Sequence, residues 1–339
     1  MEMDESSLVS ICIPTYNRAE MVSKAIDSAL SQSYPNIEVV VVDNASSDDI
    51  ESVIARYKDT PLKFFKNKTN LGLFGNFNRC IELAKGKYIH ILHSDDYIDS
   101  NFTKTCVEFM ESHHAVAMTF TSVQVLFNNE QKRIGLADHD IVFSAPEGFR
   151  MILETGNPIG CPSVMVKREV YDTVGGFACD FPYAGDYYQW LIIARRFDIA
   201  FIADTLLFNR QGGHSESAQR LFKNPSGYID NINIFIRIIG ELGDEAPNYS
   251  QELNAAIRGH MRLCLFAGIM RSDLMTPFSP LVFMGFALNT WTLIHCKSFG
   301  ERIRKCSEFF VILIIGCGLI VPGGRNCLKK IFRLKNETY

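Results

Sequence analysis

"IEVVVVDNASSDD", Ile37 to Asp49, runs through four consecutive valines and then turns polar at Asp43. A strand with one face in water alternates apolar and polar residues, whereas an unbroken apolar run belongs to a strand covered on both faces, as in a parallel sheet. Upstream, "LVSICIP" (Leu8 to Pro14) has the same character and is cut off by its proline. Between the two runs, Met21, Val22, Ala25, Ile26 and Ala29 recur at helical spacing. A third strand, "LKFFKN", leads into "NLGLFGNFNRCIELAKG", a glycine-containing loop and a helix that closes at Gly86. The fourth strand is "KYIHILHSDDYID", Lys87 to Asp99. The first hundred residues thus alternate strand and helix, which predicts a doubly wound, mostly parallel α/β layer.

Ligands bind such sheets at the carboxyl ends of the strands, and Asp43 and the pair Asp95-Asp96 both fall there. Two adjacent carboxylates repel each other and need water, a turn or a cation to compensate. Ser94-Asp95-Asp96 reads equally as a polar turn, since Ser and Asp are ordinary turn residues. From Ala115 to Ala203 the pattern is mixed. It contains a strand-like "AVAMTFTSV", a polar excursion at "FNNEQKRIG", a helix from Glu147 to Thr155, and a helix opened by Gly185-Asp186 with a strand behind it. At Asp186 the local reading is a helix N-cap.

From Pro225 onward the chain reads as helical and carries two apolar stretches, Leu281 to Ile294 and Phe309 to Pro322. Each is shorter than the roughly 20 residues a spanning helix needs. The segment from Cys296 to Tyr339 carries a charge of +6 within a chain of net −4. Basic clusters flanking short apolar stretches predict helices lying in the cytoplasmic face of a membrane, with a buried helical subdomain or an oligomer interface as the other reading. The basic end lacks interleaved aromatics, which speaks against nucleic acid as a partner. The acidic amino terminus carries no secretory pattern. Ten cysteines stand singly with no C-x-x-C pair, as expected of reduced thiols in a cytoplasmic protein.

The chain resembles the family 2 glycosyltransferases of GT-A fold. The resemblance lies in "VSICIPTYNR" (Val9 to Arg18), "VVVVDNASSDD" (Val39 to Asp49), "NLG" with "NRCIELAKGKYIHILHSDD" (Asn70 to Asp96), "GGF" (Gly175 to Phe177) and "GDYYQWLIIAR" (Gly185 to Arg195), in the family's order over roughly residues 8 to 215. It implies a catalytic domain over residues 1–220, followed by the helical region 221–339. It also implies a donor nucleotide held against Pro14, Thr15, Tyr16, Asn17, Arg18, Asn70, Gly72, Ser94 and Asp95. Asp43 would contact the base, and a carboxylate there can accept the imide N–H of uracil or thymine, so the expected donor is a UDP- or dTDP-sugar. Asp95 and Asp96 would hold Mn2+ or Mg2+, with His214 of "RQGGHSESAQ" near the diphosphate and a candidate third ligand. Asp186 would be the catalytic base of a single inverting displacement, kept ionised by the helix amino terminus.

Three positions depart from the family's pattern. His93 stands where the first Asp of Asp-x-Asp-Asp is usual, Gly185 where a Glu usually precedes the base, and Phe77 where an Arg is usual, with Arg79 a candidate substitute. The implied acceptor is a glycan or lipid-linked glycan, as in cell-surface polysaccharide assembly at the cytoplasmic face of the inner membrane. Two other classes bear on the residues. A sugar-phosphate nucleotidyltransferase would carry a G-x-G-T-R-like loop after the first strand, where "PTYNR" stands instead. An inactive nucleotide-sugar-binding or membrane scaffold module would account for His93, but not for the retention of Asp95, Asp96 and Asp186.

Overall fold

A computed structural model describes residues 7–127, 130–210 and 226–270. Its contacts divide the chain into two units, residues 1–219 and 220–339. The first opens with β1 (Val9–Thr15), α1 (Ala19–Leu30), β2 (Ile37–Asp43), α2 (Ile50–Ile54), β3 (Leu62–Lys66), α3 (Leu73–Leu83) and β4 (Tyr88–Ile91). It continues through β5 (Tyr97–Ile98), α4 (Phe102–Ser112), β6 (Val116–Phe127), β7 (Glu130–Ile134), β8 (Ile141–Phe143) and α5 (Glu147–Thr155). It then runs through β9 (Val164–Lys167), α6 (Arg168–Val174), α7 (Gly185–Arg196) and β10 (Asp198–Arg210).

The strands form one sheet in the order β3-β2-β1-β4-β9-β6-β10-β5, with β7 added to β6 and β8 to β10. β3, β2, β1 and β4 are mutually parallel, and so are β6 and β10. β9 is inserted antiparallel between β4 and β6.

The valine run behaves as a two-faced strand. Val39 and Val41, with Val9, Ile11 and Ile13 of β1, join the core formed with Val22, Ala25, Ile26 and Ala29 of α1 and Phe102, Cys106 and Met110 of α4. On the opposite face α3 packs over β1 and β2. There the Cys12 thiol donates to the Cys80 carbonyl oxygen at 3.6 Å, and the Asn76 amide donates to the Val42 carbonyl oxygen at 3.0 Å. Because successive side chains on a strand point to opposite faces, only an unbroken apolar run can fill both layers.

The polar excursion after β6 is itself a strand. All five residues of β7 are exposed, and they pair antiparallel with Val123 to Phe127. In the second unit α8 (Ser226–Leu242), a 3₁₀ turn and α9 (Ser250–Met270) follow one another. The Phe235 ring of α8 meets the His260 imidazole of α9 edge-on, with centroids 5.0 Å apart. The two apolar stretches beyond residue 280, and His214, lie outside the described residues.

Candidate active site

At the carboxyl end of β1 the chain leaves the sheet at Thr15, and Asn17 takes a positive φ of 51°. That conformation is tolerated by asparagine better than by most residues. The loop is tied to the one after β2: the Asn17 amide donates to Ser46 Oγ at 2.9 Å, the Ser47 amide donates to Asn17 Oδ1 at 2.8 Å, and the Ala19 amide donates to Asp48 at 2.7 Å. Tyr16 projects from this knot with 47% of its surface exposed, whereas Thr15 is buried. Pro14 lies within β1, and Arg18 immediately precedes α1.

Asp43 ends β2 and is fully buried. Its carboxylate accepts the Ser46 amide at 3.2 Å and the Ser46 hydroxyl. A base edge would therefore reach Asp43 only if the Ser46 loop moved.

Next to it, Asn44 binds the "NLG" loop. Its amide donates to Asn70 Oδ1 at 2.9 Å and to the Gly72 carbonyl oxygen at 3.1 Å, while its own oxygen accepts the Leu71 amide at 2.9 Å. Gly72 has a φ of 76°, a left-handed conformation that glycine adopts without steric cost, and it turns the loop into α3.

The aspartate pair occupies a β-turn, closed by the Asp96 amide donating to the His93 carbonyl oxygen at 3.1 Å. A turn brings its first and last residues together, and here they are His93 and Asp96, with Nδ1 and Oδ2 3.8 Å apart. One ligand atom from each of His93, Asp95 and Asp96 lies within 4.8 Å of the others. Ser94, within the same turn, is buried.

Asp96 is held from the far end of β10. The Asn209 amide donates to both of its carboxylate oxygens, at 3.0 and 3.2 Å, and the Arg210 backbone amide donates to Oδ1 at 3.0 Å. The Arg210 guanidinium donates to the Asp95 carbonyl oxygen and, at 3.1 Å, to that of Met21. Burial, then the Asp95 charge, pushes the Asp96 carboxyl up to about 7. Burial likewise lowers the His93 imidazole below its ordinary value. Two carboxylates and an imidazole forced together at such a cost form a donor set that fits a small divalent cation. The turn and the donor cluster are one object.

Asp186 is the second residue of α7, and the N-cap is Ala184, which corrects the N-cap reading. Its carboxylate accepts the Tyr187 amide at 2.8 Å. Burial outweighs its backbone hydrogen bonds and raises the carboxyl to about 6, against the direction in which a helix amino terminus acts. The buried Cys161 thiol is pushed well up by burial, and then by the charges of Asp186 and Asp96.

The three departures from the motif pattern meet at one aromatic cluster. Phe77 packs edge-on against Phe74 and Phe177, at 5.5 and 5.4 Å between centroids, and its ring lies 5.6 Å from that of His93. A Cβ at Gly185 would lie 2.8 Å from the Phe74 ring and 2.9 Å from the Ala178 carbonyl oxygen. Arg79 is not brought to this place. It pairs with Glu82 at 2.8 Å on the exposed side of α3.

Asn209, Arg210 and Cys161 were not singled out by sequence. Asn209 and Arg210 reach the turn because Leu207 and Phe208 pair with Ile98 and Tyr97, a register with no local sequence signal.

The family model described as glycosyl transferase family 2 matches residues 10–175. The Escherichia coli UDP-Glc:alpha-D-GlcNAc-diphosphoundecaprenol beta-1,3-glucosyltransferase WfaP is 33% identical over 190 residues, covering 55% of this chain and 70% of the relative. Among solved structures, S. aureus TarS 1–349 in complex with UDP-GlcNAc superposes with a TM-score of 0.67 at 18% identity, covering 85% of this chain and 81% of that one. The mannosyltransferase PcManGT from Pyrobaculum calidifontis, in complex with GDP-Man and Mn2+, superposes with a TM-score of 0.51 at 18% identity, covering 96% and 88%.

Proposed function

Because the chain belongs to glycosyl transferase family 2 and has the GT-A fold, we propose that this glycosyltransferase inverts the anomeric centre of a UDP- or dTDP-sugar, depends on a divalent cation, and glycosylates a hydroxyl of a lipid-linked glycan. The observation that carries the reading is the turn that follows β4, where Asp95, Asp96 and His93 form a donor set that fits a divalent cation.

Asp186, raised to about 6, is mostly ionised at neutral pH and still basic enough to take a proton. It accepts the proton of the acceptor hydroxyl while that oxygen forms its bond to the anomeric carbon. The bond to the donor phosphate oxygen breaks on the opposite face, and the nucleoside diphosphate leaves with the electron pair. Asp95 and Asp96 would hold the cation, which when bound supplies charge neutralisation for the departing diphosphate. Tyr16, exposed beside the knotted loops, offers a ring face for the base. The acceptor class is supported by the relative that acts on a diphosphoundecaprenol-linked sugar, and with it we place the reaction at a membrane surface, on the cytoplasmic side.

A thermal-shift series with UDP, dTDP and GDP, each with and without Mn2+, tests the reading, since a ligand of the native state raises the melting temperature by mass action. UDP or dTDP with Mn2+ is expected to stabilise most. A larger shift with GDP would remove Asp43 as a base contact, and equal shifts without Mn2+ would return Asp95-Asp96 to the status of a plain turn.

A further inference from the structure

We propose that Nδ1 of His93 is a third ligand of the cation held by Asp95 and Asp96, and that this nitrogen makes the site prefer Mn2+ to Mg2+. The inference rests on the reading of the turn as a cation site. Within that reading it assigns a residue and a selectivity.

The geometry begins with Asp96. Its Oδ1 already accepts from the Asn209 amide and the Arg210 backbone N–H, which fills both lone pairs of a carboxylate oxygen. Only Oδ2, with one longer bond from Asn209 at 3.2 Å, keeps the capacity to ligate. That atom is the one facing His93 Nδ1 at 3.8 Å. The separation is too long for a hydrogen bond, yet it suits two ligands of one small cation bound at somewhat over 2 Å each.

Among the described residues the imidazole has no hydrogen-bond partner: its Nε2 is shut off from solvent and unpaired, and the ring packs against Phe77. A neutral imidazole must present a lone pair at one nitrogen. With the proton on Nε2, the Nδ1 lone pair faces the Asp96 carboxylate oxygen, a repulsion that a cation bound by both atoms would relieve.

Selectivity follows from ligand chemistry. Mg2+ is a hard ion that favours oxygen and gives up water reluctantly, whereas imidazole nitrogen suits first-row transition ions better. A site with one nitrogen in three protein ligands therefore discriminates against Mg2+, and an all-carboxylate turn would not.

The test uses the full-length chain with UDP present, titrated with Mn2+ and with Mg2+ by calorimetry. Electron spin-echo spectra of the bound Mn2+ report nitrogen ligation directly. The wild-type chain should bind Mn2+ about tenfold or more tightly than Mg2+ and show imidazole nitrogen modulation. His93→Ala and His93→Asn should lose the modulation and most of the Mn2+ preference, and His93→Asp should shift the ratio toward Mg2+. Circular dichroism of each variant separates loss of a ligand from loss of the fold, and the wild-type spectrum needs no variant at all. Tight Mn2+ binding without nitrogen modulation would overturn the assignment and leave the transferase reading standing. No binding of either ion or of UDP would overturn both.

Discussion

Asp186 has to satisfy two opposing demands. As the proposed base it must be ionised, but its surroundings favour the neutral form and raise its carboxyl to about 6. The rate of sugar transfer should rise with pH through a limb near 6 and level off above it. Asp186→Asn should lower transfer by about a hundredfold or more, the scale for a positioned general base, and should abolish that limb. The same shift has a consequence for stability. A carboxyl with a folded pKa above its unfolded value favours the fold while protonated, and that contribution is lost as pH rises from the unfolded value of about 3.9 through 6. At pH 7.5 the Asn variant, with no charge to bury, should therefore melt higher than the wild type although it is inactive. A lower melting temperature at that pH would mean that the ionised carboxylate is stabilised by its neighbours.

At the scale of elements, the contact between α3 and the start of α7 shows what a linear motif conceals. Read singly, Phe77, His93 and Gly185 are three unrelated departures. In the fold the Phe77 and His93 rings lie against each other at a tilt, 5.6 Å apart, and Phe74, one turn before Phe77 on α3, fills the space a side chain at residue 185 would take. Gly185→Ala should cost about 1–3 kcal/mol, the usual range for overpacking a filled interior, seen as a lower urea midpoint at unchanged slope. Combining it with Phe74→Leu should recover part of the loss, because the two changes compete for one volume. Additive losses in the double variant would mean that the clash is with the Ala178 carbonyl alone. The elements legible in the sequence were those whose side-chain pattern carries the structure: the two-faced valine strand, the α1 stripe, and α5 from Glu147 to Thr155. β7 was not, because an exposed edge strand is held by backbone pairing to β6 and its side chains carry no period. The site divides in the same way. Asp95, Asp96 and Asp186 stand at strand and helix ends that the sequence marks, whereas the clamp from Asn209 and Arg210 crosses 113 and 114 positions through a register that only folding reveals.

Over the whole molecule, charge is distributed unevenly: the last 44 residues carry +6 and the remainder −10. Among the described residues no helix is long and apolar enough to cross a membrane, and the sequence beyond residue 280 offers two apolar stretches that are too short to do so on their own. Lysines and arginines beside such stretches gain about 1 kcal/mol each near an anionic surface, while an apolar helix face gains by burial at the lipid boundary. The first contribution is screened by salt, with a Debye length falling to about 3 Å at 1 M, and the second is not. The full chain should therefore sediment with anionic vesicles at low salt and be partly released at high salt, and a chain ending at Gln219, the last residue of the first unit, should stay in the supernatant at both. Such behaviour would bring the catalytic unit to the proposed lipid-linked acceptor. A full chain that ignores vesicles and runs as a discrete oligomer would assign the apolar stretches to subunit assembly. Salt-independent sedimentation would mean that burial, and not charge, holds the chain to the membrane.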